Sequence, residues 1–377
     1  MGFIGPVHVE ALRRTGIVDV VAVADSNEEI AKKKAAQLGI KKSYSDWRKL
    51  IEDPEVEVVH ICTPNNLHYL MSKTALEAGK HVVCEKPLAI TSQESRELVE
   101  LANSVGLVNA LHFNIRYYPL VHQARAMLKR GELGEVFAIH GSYLQDWLLF
   151  ADDYNWRLDP KYGGELRAIA DLGSHWLDLV EFVSGLKITA VCADLATFHP
   201  VRKKPLKPVQ TFDGKTLKPE DYEEVPIKTE DYATVMLEFD NGARGVMTVN
   251  QAAAGRKNRI YLEIDGSKKA LAWNSERPNE LWIGNRDMNN EILIKDPSLM
   301  HPTASDIVDF PGGHMEGFPD TSKQLFKKVY SYITSGAYED GVEPTFPTFK
   351  DGHRELLIGD AILKSGRERC WIDVQEI

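Results

Sequence analysis

The chain has 377 residues, with 45 Lys and Arg against 55 Asp and Glu, which gives a formal net charge of −10. This length predicts about two domains, and a composition of 43% hydrophobic and 27% charged residues excludes a globally disordered chain. The acidic balance argues against a nucleic-acid partner, and the sequence contains no apolar run near the ~20 residues that a membrane-spanning helix needs.

The cysteines and the amino terminus indicate the compartment. The cysteines are far apart and form no CxxC pair, which predicts reduced thiols rather than a disulfide framework or a zinc site. They are Cys62, Cys84, Cys192 and Cys370. The first residues lack the basic end and the apolar core of a signal peptide. We therefore expect a cytoplasmic protein.

Strands and helices alternate over the first third of the chain. Ile17 to Asp25 is almost entirely apolar, as a strand buried on both faces is, and Ser26, three residues before Glu29, predicts a capping box for the next helix. This alternation predicts a parallel sheet with right-handed crossovers, and therefore an α/β, doubly wound nucleotide-binding domain over residues 1–111. The other predicted elements are the strands Val56 to Cys62, His81 to Cys84 and Leu107 to Leu111, and the helices His8 to Arg14, Ser26 to Leu38, His68 to Ala78 and Thr91 or Ser92 to Val105.

The pattern changes after about His112. A helix is expected from Pro119 to Arg130, and the strands that follow are longer and alternate, which predicts an α+β domain over residues 112–377 with a mainly antiparallel sheet. Asp240-Asn241-Gly242 and Asp265-Gly266 are hairpin signals. The predicted strands are Val136 to Leu144, Ile188 to Thr197, Ala233 to Phe239, Arg244 to Val249, Ile260 to Ile264 and Ala270 to Trp273.

One segment of the second domain has no clear periodicity. Residues 199–230 contain five prolines among many charges. The segment is either a solvated loop or an arm or lid, since structureless loops of this length are uncommon in compact domains.

A glycine pair and a carboxylate carry the first chemical signal. Gly2-Phe3-Ile4-Gly5 matches the second half of the GxGxxG phosphate-binding motif, and Asp25 ends the next strand about 20 residues later. A carboxylate at that place accepts hydrogen bonds from an adenosine ribose and repels a 2′-phosphate, so NAD is favoured over NADP. The alternative is that Asp25 is only a turn residue beside a helix cap.

Glu85-Lys86-Pro87 follows a predicted strand at its carboxyl end, where open α/β sheets bind ligands. Lys86 is therefore expected to face a cleft, although the tripeptide taken alone favours the alternative of a solvated loop lysine. A second group, Asp171, His175 and Asp178, has a spacing that places all three on one face of a helix. A carboxylate one turn from a histidine fixes its tautomer, which suits general-base chemistry; a capped helix with a buried histidine is the alternative.

Two aromatic and polar stretches suit sugar binding, in which rings stack on C–H faces and polar groups meet hydroxyls. They are Gln145-Asp146-Trp147 and Tyr154-Asn155-Trp156-Arg157. Ordinary loop packing explains them almost as well.

Taken together, these motifs resemble the glucose–fructose oxidoreductase / inositol dehydrogenase (Gfo/Idh/MocA) family. The order and spacing of EKP and DxGxHxxD carry the resemblance. The matching stretches are GFIG at Gly2 to Gly5, AVAD at Ala22 to Asp25, TPNNLH at Thr63 to His68, AGKHVVCEKPLA at Ala78 to Ala89, GGELRAIADLGSHWLDL at Gly163 to Leu179, and the segment Pro344 to Gly366.

The resemblance implies a Rossmann domain followed by a domain with an open-faced, mainly antiparallel sheet. It further implies NAD(P)-dependent hydride transfer at a secondary hydroxyl of a sugar, glycoside or cyclitol, a homodimer or homotetramer, and a cis peptide before Pro87. The implied catalytic residues are Lys86, Asp171 and His175. The cofactor would contact Gly2, Phe3, Ile4, Gly5, Asp25, Ser26, Thr63, Pro64, Asn65, His68, Glu85 and Lys86, and the substrate would contact Lys86, Asn114, Trp156, Arg157, Asp171 and His175.

The roles follow from the chemistry of alcohol oxidation. Neutral His175 would take the hydroxyl proton, Lys86 would stabilise the developing alkoxide, and Asp171 would hold the histidine or a second hydroxyl. A metal bound by Asp171 and His175 is less favoured because a third ligand is not evident and Lys86 would have no function.

Two further functions remain open, an NAD-dependent glycosidase of similar fold and a non-catalytic NAD-binding protein. The family's first strand and the first glycine of GxGxxG would lie before Met1. We therefore expect that the sequence does not contain the whole nucleotide-binding domain.

Overall fold

The computed structural model describes residues 2–206 and 221–375. Two compact units form, one from the residues up to Asn114 together with Pro319–Leu356, the other from Ile115–Phe318 together with the residues from Leu357 on. The domain boundaries predicted from the sequence, 1–111 and 112–377, remain a prediction, and they differ from these units in assigning residues 112–114 and 319–356 to the second part.

The helices and strands are numbered in chain order. They are α1 (Ile4–Thr15), β1 (Ala22–Ala24), α2 (Glu28–Leu38), β2 (Lys42–Tyr44), α3 (Trp47–Glu52), β3 (Val58–Ile61), α4 (His68–Glu77), β4 (His81–Cys84), α5 (Ser92–Val105), β5 (Asn109–Leu111), α6 (Pro119–Lys129), β6 (Val136–Leu144), α7 (Pro160–Gly163), α8 (Ser174–Ser184), β7 (Ile188–Ala196), β8 (Val201–Pro205), β9 (Tyr222–Pro226), β10 (Tyr232–Phe239), β11 (Arg244–Asn250), β12 (Arg259–Gly266), β13 (Ala270–Asn274), β14 (Glu280–Gly284), β15 (Glu291–Ile294), α9 (Pro302–Ser305), α10 (Phe318–Thr334), α11 (Phe349–Glu368) and β16 (Ile372–Asp373). None of the helices in this described part of the chain combines the length and the apolarity needed to cross a membrane.

The first unit is the predicted α/β arrangement. All strand pairs in it are parallel, with β1 beside β2 and the order β3-β4-β5 in a second group. Val59, Val82 and Leu98 are buried in one apolar core, in which α4 packs on β3 and β4 and α5 packs on α4. The Rossmann-like fold class is thereby confirmed.

The predicted cap of α2 is wrong by one residue. Asn27, not Ser26, has the extended backbone of an N-cap, and its side-chain oxygen accepts hydrogen bonds from the backbone N–H groups of Glu29 and Ile30. Asparagine and serine are about equally good caps, and it is the extended backbone of Asn27 that makes this residue the cap. The predicted cap of α5 is confirmed, because Thr91 accepts from the backbone N–H of Glu94.

The second unit contains a nine-stranded sheet in the order β15-β14-β13-β12-β6-β11-β10-β7-β16. Every neighbouring pair is antiparallel except β6 and β11, which run parallel. The helices α6 and α8 contact one face, where Trp176 and Ile139 are fully buried. The opposite face alternates with this core, as a sheet covered on one side does.

The hairpin signals are confirmed and the long loop is partly corrected. Gly242, with a φ of 86°, turns the chain between β10 and β11, and residues 267–269 connect β12 to β13. Within the segment 199–230, β8 and β9 pair as an antiparallel ribbon, so those residues are not structureless. The remainder of that expectation, on residues 207–220, lies outside the described residues.

Candidate functional site

The carboxyl ends of β3 and β4 meet the first turns of α1 within the first unit. His8, on the second turn of α1, lies with its Nδ1 3.4 Å from Sγ of Cys62 and its Nε2 2.8 Å from Oε1 of Glu85. Cys62 directly precedes Thr63, and Glu85 directly precedes Lys86. The start of α1 therefore lies at the edge of the sheet where parallel α/β folds bind ligands.

The glycine segment forms the open start of this helix. Phe3 is the N-cap and gives no side-chain cap, so Ile4 and Gly5 begin the helix with backbone N–H groups that no intrahelical carbonyl reaches. A Cβ added to Gly2 would meet nothing within 4 Å, so this approach is uncrowded. A helix start of this kind suits a phosphate group.

Asp25 and Ser26 follow β1 directly. The backbone N–H of Asp25 donates to the carbonyl of Tyr44, which continues the pairing of the strands by one residue. The Ser26 hydroxyl lies 3.4 Å from Oδ1 of Asp25. The carboxylate thus stands at the carboxyl end of a strand of the parallel sheet, as the sequence predicted for a ribose ligand.

The loop after β3 contains two buried polar side-chain atoms. Among the described residues, nothing hydrogen-bonds the buried Oγ1 of Thr63 or the buried Oδ1 of Asn66. Pro64 begins a short 3₁₀ turn in which Asn65 is buried. Buried polar atoms are normally satisfied, so these two fit a polar ligand such as a dinucleotide.

His68 joins the loop after β3 to the loop after β4. Its ring nitrogens lie 2.9 Å from the carbonyl oxygen of Thr63 and 2.7 Å from that of Pro87, and the ring is buried. Burial also lowers the pKa of His68. His68 therefore connects the loop after β3 with the loop after β4.

Glu85 is the centre of a buried polar cluster. Its Oε1 lies 2.8 Å from Nε2 of His8 and 2.7 Å from Nδ1 of His112, and Nδ1 of His8 lies 3.0 Å from Nδ1 of His60. Burial alone would raise the pKa of Glu85, but the neighbouring His112 and His8 hold it well below its usual range. The three side chains His8, Glu85 and His112 are close enough to hold a metal ion, yet Oε1 of Glu85 already lies within hydrogen-bond distance of both imidazole rings.

Lys86 follows this carboxylate at the end of β4. Its side chain is half-buried, and the Lys86–Pro87 peptide is cis, as the resemblance implied. Of the three predicted catalytic residues, Lys86 belongs to the first unit.

Asp171 and His175 lie together in the second unit. Asp171 stands in a π-helical turn, Ile169–Gly173, which runs directly into α8 and carries His175 on its first turn. Arg157 contacts Oδ1 of Asp171 through Nε at 3.2 Å, and its guanidinium carbon lies 4.4 Å from the Trp156 ring centroid. Two predicted substrate residues are therefore brought to a predicted catalytic carboxylate.

The third member of the predicted helix face has a different partner. Asp178 is buried and forms a two-point salt bridge with Arg116, whose Nε lies 2.8 Å from Oδ2 and whose other contact is to Oδ1. A buried carboxylate needs such a partner, so Asp178 is held by this guanidinium. Asn114 is also engaged, since its amide donates to Oγ1 of Thr321 at 2.7 Å within the first unit.

Sequence reasoning missed the groups that support these side chains. Gln251 donates to Oδ2 of Asp171 at 2.9 Å, and Arg167 donates to Gln251 at 2.8 Å. These partners are 80 and 84 residues away from Gln251, and the local sequence around Gln251 carries no pattern that would reveal them.

Two family models match the chain. Residues 1–113 match a model described as "Oxidoreductase family, NAD-binding Rossmann fold". Residues 121–272 match a model described as the GFO/IDH/MocA C-terminal domain.

Individual proteins match over nearly the whole length. Levoglucosan dehydrogenase of Pseudarthrobacter phenanthrenivorans is 31% identical over 361 residues, which cover 94% of this chain and 89% of the relative. A solved structure of levoglucosan dehydrogenase with NADH and levoglucosan has a TM-score of 0.87 at 30% identity, covering 100% of this chain and 98% of the other. An inositol dehydrogenase homologue with NAD⁺ from Azotobacter vinelandii has a TM-score of 0.85 at 26% identity, covering 98% and 94%.

Proposed function

Because the chain belongs to the Gfo/Idh/MocA family of NAD-binding oxidoreductases, we propose that it transfers hydride between NAD and a secondary hydroxyl of a sugar, glycoside or cyclitol. The membership confirms the resemblance predicted from the sequence. The substrate class is supported by the names of relatives that match over nearly the full chain, a levoglucosan dehydrogenase and a myo-inositol 2-dehydrogenase from Thermotoga maritima.

The observation that carries the proposal is the grouping of Asp171, Arg157 and Trp156, with His175 one turn further on. The carboxylate and guanidinium offer an acceptor and a donor for hydroxyl groups, and the indole offers a face for C–H groups. A flat, hydroxyl-rich ring presents both kinds of surface. An alcohol with a single hydroxyl group would offer these polar groups fewer hydrogen bonds.

NAD, when bound, supplies the acceptor for the hydride that leaves the carbon. His175 is assigned the general base that removes the hydroxyl proton, because a neutral imidazole accepts a proton at cellular pH. Lys86 is assigned the donor that stabilises the developing alkoxide as an ammonium group. Asp171 is assigned the acceptor that orients the histidine or a neighbouring hydroxyl.

The test is a screen of sugars, glycosides and cyclitols with NAD, followed by absorbance of NADH. Net NADH formed in proportion to substrate supports a dehydrogenase. An NAD-dependent glycosidase would instead release an aglycone with no net NADH, because it re-reduces its intermediate. NAD binding without turnover of any compound would leave the non-catalytic alternative.

A homodimer or homotetramer is the state we propose for the protein. The sheet face opposite α6 and α8 exposes the apolar side chains of Met236 and Val246 on the neighbouring strands β10 and β11, and that of Ile292 on the edge strand β15. Apolar groups on an uncovered sheet face mark an interaction surface. Light scattering that gives a 42.4 kDa particle at micromolar concentration would contradict the oligomer.

A reducing, cytoplasmic location accords with the cysteines. Cys62, Cys84, Cys192 and Cys370 are all free thiols in the structure.

A further inference from the structure

Gln251 lies between a buried ion cluster and the carboxylate of Asp171. It directly follows β11 and is completely buried. Its backbone is fixed on both sides, because its N–H donates to the carbonyl of Asp231 and its carbonyl accepts from the N–H of Leu148. From this fixed backbone, the side chain hydrogen-bonds to both Asp171 and Arg167.

Arg167 decides which way the amide of Gln251 points. Its guanidinium is wholly buried and bonded in three other directions, to Oγ1 and the carbonyl of Thr229 and to Oδ1 of Asp231. A guanidinium has only donors, so the Gln251 atom 2.8 Å from its NH1 is the carbonyl oxygen. The amide nitrogen is then the atom that faces Asp171.

Asp231 holds Arg167 in place. Its Oδ1 also accepts from Arg202 at 2.7 Å, and its Oδ2 accepts from the backbone N–H groups of Phe198 and His199. Burial alone would raise the pKa of Asp231, but the two guanidinium groups lower it overall. A chain of fixed donors and acceptors thus runs from this ion cluster to Asp171.

The amide nitrogen of Gln251 can only donate, so Oδ2 of Asp171, 2.9 Å away, can only accept. We propose that Gln251 is a positioning residue that keeps Asp171 an ionised hydrogen-bond acceptor, with its orientation set by Arg167. Asp171 then serves the reaction as an acceptor for a donor on substrate or on His175, and it is not a proton donor. This inference rests on the proposed function for its catalytic meaning, and on hydrogen bonds within the second unit for its geometry.

Other charged and titratable groups lie near Asp171 and can also affect its titration. Arg157 contacts Oδ1, His175 follows four residues later, and burial together with the charge of Asp171 raises the pKa of Tyr143. Arg157 lies on the other carboxylate oxygen, and Gln251 donates to Oδ2. A change at Gln251 therefore reports on that oxygen.

The decisive substitution is Gln251→Glu, which keeps the size and the acceptor toward Arg167. It places a second carboxylate oxygen against Oδ2, and two such oxygens must share a proton. The carboxyl ¹³C signal of Asp171, identified by its loss in Asp171→Asn, should then titrate at least one pH unit higher than in the unchanged protein. The acid limb of kcat should move by the same amount, while the Kd for NAD stays within twofold.

Gln93→Glu is the matched control. Gln93 donates to Glu97 from an exposed position on α5, so this change also places two carboxylates together, but in solvent. It should leave the Asp171 signal and the kcat profile unchanged. An Asp171 titration that is the same in Gln251→Glu and in the unchanged protein would overturn the inference.

Two further results distinguish a failure of the proposed function from a failure of this inference. If no sugar or cyclitol is oxidised by the unchanged protein, the proposed function fails, and the ¹³C titration still decides the role of Gln251. If Gln251→Glu does not fold, the double variant Asp171→Asn, Gln251→Glu should fold, because it restores one amide and one carboxylate; failure of the double variant to fold would overturn the inference.

Discussion

Acid should destabilise the protein through the buried cluster around Glu85. Burial, and the nearby His112, lower the pKa of His8 from its usual value of 6.5 to about 4, although its bond to Glu85 opposes this. Between these two values the unfolded chain binds a proton that the folded chain does not. The free energy of unfolding therefore falls as the pH falls from 6.5 toward 4 and is flat above that range.

The size of this effect follows from the two pKa values. At pH 5 the unfolded His8 is almost fully protonated and the folded one almost fully neutral, so the loss relative to pH 7 is about 2 kcal/mol. His60, whose pKa burial and His8 also lower, adds a loss of the same sign. Glu85 adds another below pH 4.5, because its folded pKa is held well below that value.

The variant His8→Gln isolates the contribution of His8. A glutamine amide can still donate to Glu85 from about the position of Nε2, but it takes up no proton in either state. We expect the loss of unfolding free energy between pH 7 and pH 5, measured by urea denaturation with circular dichroism, to shrink by about 2 kcal/mol. The exposed His314→Gln is the control and should leave the loss unchanged. Equal losses for His8→Gln and the unchanged protein would refute the reasoning.

Two further substitutions test the nucleotide site and the sheet. Asp25→Ala should weaken NAD binding about 10- to 100-fold and reduce the difference in affinity between NAD and NADP, since it removes a charged acceptor for the ribose and the repulsion of a 2′-phosphate. Calorimetry with both nucleotides checks this, with Asp19→Ala at an exposed position as the control. Equal affinities for NAD and NADP in the unchanged protein would contradict it. Gly141→Ala should destabilise the second unit by about 1–3 kcal/mol, because the new Cβ would clash with the backbone carbonyl oxygen of Tyr261 and lie 2.8 Å from Nε1 of Trp176, which donates to that carbonyl. Urea denaturation checks this, with Gly317→Ala, where a Cβ meets nothing within 4 Å, as control.

The elements could be predicted where their signals are local. The bounds of β4 and β6 agree residue by residue with the prediction, since each is an apolar or alternating run between turn residues. The strands β14 and β15 were missed because they are short and β15 is largely exposed, which leaves little hydrophobic periodicity. The cap of α2 was displaced because Ser26 and Asn27 are both good caps and only the backbone angles separate them.

The residues of the candidate site also divide into those with a local sequence signal and those without one. Lys86, Asp171 and His175 were predicted as catalytic because their motifs are contiguous and resemble a family. The hydrogen bonds from Gln251 to Asp171 and between His8 and Glu85 were not predicted, because the partners are 80 and 77 residues apart in the sequence. Hydrogen bonds of that separation depend on sheet registers that a single sequence does not contain.

We propose that this chain oxidises a polyhydroxylated substrate with NAD through His175 and Lys86. Its most direct test is the steady-state rate of NADH formation on the best compound of the sugar and cyclitol screen, for the unchanged protein, His175→Ala and Lys86→Ala, with NAD affinity measured for each. We predict net NADH from the unchanged protein, a turnover lower by roughly 10²–10⁴-fold in His175→Ala, and a comparable loss in Lys86→Ala, with NAD binding retained in His175→Ala. Turnover at the unchanged rate in both variants would contradict it.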